Sequence, residues 1–182
     1  MYPTRSVDNS ITPNPERHEW RYPVVIAISL TIGVLALAWA LFDSREVRSA
    51  PDFTLTAFDG AVYPMRELRG RVVVLNFWAS WCGPCRAEAP GLQQAWLDLR
   101  NQDVIFLGVD QADAPDAAQQ FMREFAISYP NGPDNGIVQA FQVQSLPTTI
   151  IVGRDGMIHD TLYTAVERSD LRTRVETALR RE

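Results

Sequence analysis

The feature that most constrains the fold is an apolar run, R-V-V-V-L-N-F-W at residues 71–78, followed closely by W-C-G-P-C at 81–85. β-Branched and aromatic residues without alternation are typical of a strand that is buried on both faces of a covered sheet. Gly83 allows a tight turn after this strand, and Pro84 favours the first turn of a helix, where its missing N–H costs nothing. The pattern predicts a strand that delivers Cys82 to the start of a helix.

Strand and helix patterns alternate through the rest of the chain. They are a strand at 53–56 with a hairpin turn at Asp59-Gly60, a helix from the cysteines to about Arg100 with Pro90 inside it, a strand at 104–109, helices at 115–125 and 137–141, strands at 148–152 and 157–164 joined by a turn, and a helix at 167–181. Alternation in the first half predicts parallel pairing, and the late hairpin predicts an antiparallel edge. We therefore predict an α/β domain with a mixed central β-sheet flanked by helices on both faces.

A separate segment, residues 23–42, contains twenty residues without a charge. As a helix it would span about 30 Å, the thickness of the hydrocarbon core of a bilayer. We predict a transmembrane anchor at 23–42, an N-terminal cytoplasmic tail at 1–22, a linker at 43–50 and the folded domain at 51–182. A cleavable signal peptide is the alternative, because Ala36-Leu37-Ala38 resembles a cleavage site, although twenty-two residues are long for the region that precedes its apolar part.

Charges indicate the orientation and exclude some partners. Arg17 and Arg21 precede the apolar segment, and Arg45 and Arg48 follow it, which with Arg5 gives a slight bias toward an N-terminus inside the cell. We expect a single-pass cell-membrane protein whose domain is extracytoplasmic. Residues 51–182 contain 12 Arg against 17 Asp and Glu, a net charge of −5, which argues against binding of nucleic acid or anionic lipid.

The two cysteines, Cys82 and Cys85, are the only ones in the chain and allow three interpretations. A structural zinc ion needs four ligands, and of the two histidines His18 precedes the anchor, so a closed zinc site is disfavoured. A copper site with two thiolates and His159 stays open. A purely structural disulfide is disfavoured, because a disulfide that closes so short a loop restricts the unfolded chain little and so stabilises the fold little.

A redox couple explains where the cysteines lie. At the start of a helix, backbone N–H groups and the helix dipole favour the thiolate of Cys82 and lower its pKa. Cys85 lies one helical turn after Cys82 and is expected to be buried. Its sulfur can reach that of Cys82. Cys82 is therefore the predicted attacking thiol and Cys85 the predicted resolving thiol. The sequence predicts no cofactor and no resident metal.

With these residues in place, the chain resembles thioredoxin-fold proteins. W-C-G-P-C after V-V-V-L-N-F-W-A is a specific match, and S-L-P-T-T at 145–149 is similar to the loop with a cis proline that lies beside the active-site disulfide. The resemblance implies that Pro147 belongs to the catalytic site. It also implies that the backbone of Leu146 pairs with an extended substrate chain.

The chain is more similar still to the membrane-anchored TlpA/ResA-like thiol–disulfide oxidoreductases of the AhpC/TSA-like superfamily. This similarity is carried by A-P-D-F at 50–53, L-N-F-W-A at 75–79, E-A-P at 88–90 and an insertion after the second central strand, and it covers about residues 50–165. It implies a reductase of client disulfides, such as that of apocytochrome c before haem attachment. An integral-membrane dithiol donor would recharge it.

One position departs from plain thioredoxin. Asn76 stands where the resemblance implies a buried Asp that moves protons, and Glu88, three residues after Cys85 on the same helix face, is the candidate replacement. Burial would raise the pKa of Glu88 toward that of a general base. The alternative is a solvated Glu near the helix N-terminus.

The residues around the cysteines complete the predicted site. Trp81 is expected to be partly exposed beside the disulfide, and with Gly83, Pro84 and Leu146 it forms the predicted substrate-binding surface. Phe77 and Trp78 are predicted to be core residues.

Two other activities share parts of this pattern. A copper-delivery protein, or a maturation factor for a terminal oxidase, would use the same dithiol. A peroxidase of the peroxiredoxin type is disfavoured, because Ala79 and Leu75 occupy the positions where it needs Thr or Ser and Pro.

Overall fold

The structure, a computed structural model, describes residues 21–42 and 48–181, and the chain divides into two units, Met1–Glu46 and Val47–Glu182. In the first unit a continuous helix, α1, runs over Arg21–Phe42. Within the residues that are described in full, no helix is long and apolar enough to cross a membrane. The predicted tail up to residue 20 and residues 43–47 of the predicted linker lie outside the described residues.

The second unit is built on a mixed sheet. Its strands are β1 Thr54–Thr56, β2 Val62–Pro64, β3 Val72–Trp78, β4 Val104–Asp110, β5 Asn131–Pro133, β6 Thr148–Val152 and β7 Ile158–Leu162. Five of them form one sheet in the order β5-β4-β3-β6-β7, and β1 and β2 form a separate hairpin. β3 is the middle strand, parallel to β4 and antiparallel to β6. The predicted mixed sheet with a buried central strand is confirmed.

Helices cover the sheet unequally. They are α2 Gly83–Leu99, α3 Pro115–Glu124, α4 Ile137–Ala140 and α5 Arg168–Arg180. Because side chains alternate along a strand, Val72, Val74 and Trp78 of β3 pack with α2, α3 and α5. The intervening side chains pack instead with β1, α4 and a short 3-10 helix at Met65–Glu67. Helices thus lie on both faces, as predicted, but a hairpin and short helices cover the second face.

Strand β5 was not predicted. Its sequence, Asn-Gly-Pro, is typical of a turn, yet it pairs in parallel with Gly108–Asp110 at the end of β4. The indole N–H of Trp78 donates a 2.9 Å hydrogen bond to Asn131 Oδ1. Gly132 lies so close to β1 that a Cβ there would be 2.2 Å from the Thr56 carbonyl oxygen. Tertiary contacts therefore hold this segment extended.

The packed domain begins slightly before the predicted boundary at Pro51. Ser49 forms an isolated antiparallel bridge with Met157, and the Ala50 N–H donates to the Gly156 carbonyl at 2.9 Å. Residues 48–50, predicted as part of a linker, therefore belong to the edge of the sheet.

Candidate functional site

Cys82 and Cys85 form a disulfide at the N-terminus of α2, with their Cα atoms 5.2 Å apart. Cys82 is the N-cap of the helix: the Cys85 N–H donates to its sulfur at 3.2 Å. Gly83 and Pro84 form the first helical turn, as the sequence predicted. A sulfur at this point faces backbone donors and the positive end of the helix dipole, which favour a thiolate when the bond is reduced.

Exposure differs sharply around the disulfide. Cys82 is 6% exposed and Cys85 only 1% exposed. Trp81, by contrast, is 66% exposed, and Gly83 and Pro84 are exposed beside it. The exposed residues Trp81, Gly83 and Pro84 thus flank Cys82, which is the less deeply buried of the two cysteines.

The loop at 145–149 lies at the same end of the sheet. The Leu146–Pro147 peptide bond is cis, and Pro147 is buried. Thr148 pairs with Phe77 near the end of β3, so continuing the register sets Pro147 beside the strand end that leads to the cysteines. Leu146 packs, partly buried, against the apolar cluster that contains both cysteines.

Glu88 is buried one turn after Cys85 on α2, with 4% of the residue exposed. Its Oε1 accepts a 2.9 Å hydrogen bond from the side-chain amide of Asn76 in β3. Its Oε2 accepts a 2.9 Å hydrogen bond from the backbone N–H of Val166, just before α5. The same Asn76 amide donates to Thr149 Oγ1 at 3.1 Å. The solvated alternative for Glu88 is therefore wrong.

The electrostatic environment of Glu88 balances two opposing effects. Burial raises the pKa of this carboxyl to about 7, although the hydrogen bonds from Val166 and Asn76 act in the opposite direction. The negative charge of Glu88, after burial itself, helps to raise the pKa of Tyr129. A carboxyl with a pKa near neutrality can both accept and release a proton at working pH.

Arg86 connects α2 to α3. Its guanidinium pairs with Glu124 and lies 5.7 Å and 5.1 Å from the ring centroids of Phe121 and Phe125. It also donates a 3.4 Å hydrogen bond to the carbonyl of Ser80. Arg86 is thus a packed structural cation rather than a freely solvated one.

Three polar residues near the cysteines were not identified from the sequence: Ser80, Asp110 and Asp113. Asp113 accepts hydrogen bonds from Ser80, two residues before Cys82. Asp110 is the last residue of β4 and is buried. The signal available was the polar end of V-I-F-L-G-V-D, because the carboxyl end of a parallel strand is a common place for site residues.

The copper hypothesis with His159 as a third ligand is wrong. His159 lies in β7 beside the Val152 end of β6, and Val152 pairs with Val73 at the start of β3. The cysteines follow the other end of β3, more than about 15 Å away at 3.3 Å per residue. His159 is instead bonded to Asp155. Among the described residues, no three His, Cys, Asp or Glu side chains cluster as a metal site would require.

Comparisons with known proteins agree with this geometry. The model of one protein family, described as the AhpC/TSA family, matches residues 47–161. The thiol-disulfide oxidoreductase ResA of Geobacillus kaustophilus is 28% identical over 131 residues, which cover 71% of this chain and 75% of that protein.

Solved structures share the same fold. A secreted Mycobacterium tuberculosis disulfide oxidoreductase, described as homologous to DsbE of Escherichia coli, superposes with a TM-score of 0.62 at 30% identity over 69% of this chain and 95% of that one. A thiol:disulfide interchange protein of the thioredoxin family from Chlorobium tepidum has a TM-score of 0.70 at 24% identity, over 75% of this chain and 99% of that one. The fold is therefore thioredoxin-like.

Proposed function

This chain belongs to the AhpC/TSA family and is a thiol–disulfide oxidoreductase of the ResA and DsbE type, and we propose that it reduces disulfides of client proteins outside the cytoplasm. The arrangement of Cys82, Cys85 and Glu88 supports this proposal most directly. Cys82 at the helix N-terminus, 6% exposed, is followed by the more deeply buried Cys85 and then by a buried carboxyl with a pKa of about 7.

The proposed reaction begins with the reduced protein. The Cys82 thiolate attacks one sulfur of the client disulfide, which forms a mixed disulfide and releases one client thiolate. Cys85 then gives its proton to Glu88 and attacks the Cys82 sulfur, which forms the 82–85 disulfide and releases the second client thiolate. Two electrons pass to the client, and the protein is left in the oxidised state that the structure shows.

The direction of electron flow is part of the proposal. The resemblance of Gly83-Pro84 to the dipeptide of thioredoxin supports a reducing couple. A reductase in an oxidising compartment must be recharged, and we infer an integral-membrane dithiol donor as its partner. By similarity to ResA-like proteins, the disulfide of apocytochrome c is the proposed client.

We further propose that residues 23–42 tether the domain to the membrane. This part of the proposal rests on the sequence: twenty successive residues without a charge would, as a helix, extend about 30 Å at 1.5 Å per residue. Membrane fractions washed with alkaline carbonate should retain the full chain, and a chain lacking residues 1–46 should be released. Alkaline phosphatase fused after residue 50 should be active, because that enzyme needs the oxidising side of the membrane.

Two measurements test the reductase. The potential of the Cys82/Cys85 couple, equilibrated with glutathione or dithiothreitol, should lie near the −270 mV of thioredoxin, and a value near −120 mV would reject the proposal. In cells, Cys85→Ser should accumulate mixed disulfides on Cys82, and Cys82→Ser should not. Trapped apocytochrome c would support the proposed client, whereas a trapped copper-site subunit of an oxidase would replace it.

A further inference from the structure

The residue that introduces the cysteine turn, Ser80, is held at each of its polar groups. Its backbone N–H donates to Asp113 Oδ2 at 2.6 Å, and its hydroxyl donates to Asp113 Oδ1 at 2.8 Å. Its carbonyl accepts from Arg86 Nη1 at 3.4 Å. Ser80 is the second residue of a turn that the Cys82 N–H closes by donating to the Ala79 carbonyl at 3.1 Å. Fixing Ser80 therefore fixes how Trp81 and Cys82 are presented.

Asp113 reaches Ser80 through an unusual backbone conformation. Ala112, the preceding residue, has φ of 63° although it carries a side chain. Non-glycine residues in this left-handed region are uncommon, and such strain persists only where surrounding contacts enforce it. The strained turn runs from the end of β4 to the start of α3, and its effect is to place the Asp113 carboxylate against Ser80.

Behind Asp113 lies a second carboxyl, that of Asp110. Asp110 is 2% exposed, and no donor among the described residues faces its Oδ1. Its carboxyl is within hydrogen-bonding reach of the Asp113 carboxyl. A proton between the two carboxyls would satisfy the unpartnered Asp110 oxygen, and we assign it to Asp110 because both oxygens of Asp113 accept from Ser80.

We propose that Asp110 and Asp113 form a proton-sharing pair that positions Cys82 for thiol–disulfide exchange by clamping Ser80. The protonated Asp110 carboxyl donates to Asp113, whose two oxygens hold the turn before Cys82. The inference rests on exchange at Cys82 and is independent of the client, the electron donor and the membrane.

The charges around the pair agree with a shared proton. Burial, with the Asp113 contact second, raises the pKa of Asp110 to about 8. From α2, Arg86 donates to the Ser80 carbonyl and is itself paired with Glu124 of α3. From the segment after β5, the Asp134 N–H donates to the Asp110 carbonyl, while the Asp134 carboxylate accepts from the Val138 N–H. Above about pH 8 the clamp therefore carries two adjacent negative charges and loosens.

The test is reduction of the oxidised full chain in detergent by dithiothreitol from pH 6 to pH 9, with each rate constant divided by the thiolate fraction of the reagent. The wild-type rate constant should fall severalfold above pH 8. Asp110→Asn supplies an amide donor that does not titrate. Its rate constant should therefore equal that of the wild type at pH 7 and should not decrease above pH 8. Asp113→Ala should slow the reaction roughly tenfold throughout, since misplacement by a fraction of an ångström costs that much.

Controls separate positioning from loss of structure. Asp116→Asn, an exposed change in the first turn of α3, should match the wild type. Ser80→Ala keeps the backbone donor and removes the hydroxyl, so its rate constant should fall less than that of Asp113→Ala. This variant replaces Asp113→Ala as the test if Asp113→Ala fails to fold. Any one of three results overturns the inference. They are a wild-type rate and pH profile in folded Asp113→Ala, a wild-type rate in Ser80→Ala, and a decrease in rate above pH 8 that persists in Asp110→Asn. Because dithiothreitol replaces the client, failure of the proposed reductase role leaves this test intact.

Discussion

The side-chain amide of Asn76 donates a 2.9 Å hydrogen bond to Glu88 Oε1, which joins the middle strand of the sheet to the helix that begins at the cysteines. Asn76 cannot ionise, so the acid of this pair comes from the helix rather than from the strand. The amide also holds Thr149 of β6. One neutral residue thus orients the buried carboxyl and links it to the strand that follows the cis proline.

The first prediction concerns the proton step. Glu88→Gln should slow reduction of a protein disulfide at pH 7 at least about tenfold, because the Cys85 thiol loses its proposed proton acceptor. The pH dependence between 6 and 8 should flatten, since a glutamine does not titrate where the carboxyl has its pKa of about 7. Stopped-flow reduction of insulin, together with the pH dependence of Cys82 alkylation by iodoacetamide, measures both effects.

Glu167→Gln is the matched control, because Glu167 is exposed and follows Val166, the backbone donor to Glu88. It should behave as the wild type. Unchanged exchange kinetics and an unchanged thiol pKa in Glu88→Gln would show that the buried carboxyl is only structural.

The second prediction isolates the hydrogen bond to Asn76. In the wild type, the hydrogen bond from the Asn76 amide lowers the pKa of Glu88. Asn76→Leu keeps the volume of the side chain but removes this donor. The pKa of Glu88 should therefore rise above about 7, as followed by the infrared carbonyl band of the protonated acid. The exposed Asn101→Leu change should leave that band unaltered, and a lower Glu88 pKa in Asn76→Leu would contradict the assignment.

The elements that the sequence predicted well are those specified locally. β3 needs only its apolar run, and α2 needs only the Gly-Pro start and a following helical pattern, so both were placed within a residue of their observed ends. The predicted role of Cys82 as the attacking thiol follows from the same local sequence, because the strand and the Gly-Pro turn place it at the start of the helix. Hydrophobic periodicity carries this information without any knowledge of distant contacts.

The features that were missed depend on residues far apart in the chain. β5 is held by a bond between Trp78 and Asn131, 53 positions apart. The second donor to Glu88 is Val166, 78 positions away, and Asp113 reaches Ser80 across 33 positions. Propensity could not anticipate these contacts, because the sheet first has to bring the segments together.

The third prediction is a pH-dependent difference in stability. The pKa of Asp110 is raised from 3.8 to about 8 in the folded protein, so between these pH values the native state holds a proton that the unfolded state has lost. The free energy of unfolding must therefore fall as pH rises through this window and level off above about pH 8. An asparagine at this position would not titrate, so Asp110→Asn removes this loss. The free energy of unfolding of the variant should therefore rise relative to that of the wild type by a few kcal/mol between about pH 4 and pH 8.

Urea unfolding of the oxidised protein at several pH values measures this difference. The exposed Asp116→Asn change should give a difference from wild type that does not vary with pH. A constant difference for Asp110→Asn as well would mean that Asp110 is ionised throughout the range.

The fourth prediction concerns the exposed ring beside the cysteines. Trp81→Ala should change the free energy of unfolding by no more than about 0.5 kcal/mol, since the side chain is 66% exposed. Its kcat/KM for insulin should fall roughly tenfold, because exposed aromatic residues carry much of the energy of protein contacts. Reduction of a small aromatic disulfide should be unchanged. Val62→Ala, an exposed change on the hairpin, should alter neither rate, and equal losses with both substrates would refute a docking role for Trp81.

The last prediction compares two glycines whose substitution should have opposite effects. A Cβ at Gly132 in β5 would lie 2.2 Å from the Thr56 carbonyl oxygen and 3.1 Å from the Ala57 Cα, so backbone would have to move. Gly132→Ala should therefore lower the free energy of unfolding by about 1–3 kcal/mol or more. At Gly91 in α2 the nearest atom to a Cβ is the Arg168 backbone nitrogen at 3.5 Å, an ordinary contact. Gly91→Ala should stabilise the domain by about 0.5–1 kcal/mol through helix propensity. Urea unfolding of both variants decides the matter, because a sheet edge without close contact at β5 would tolerate both changes.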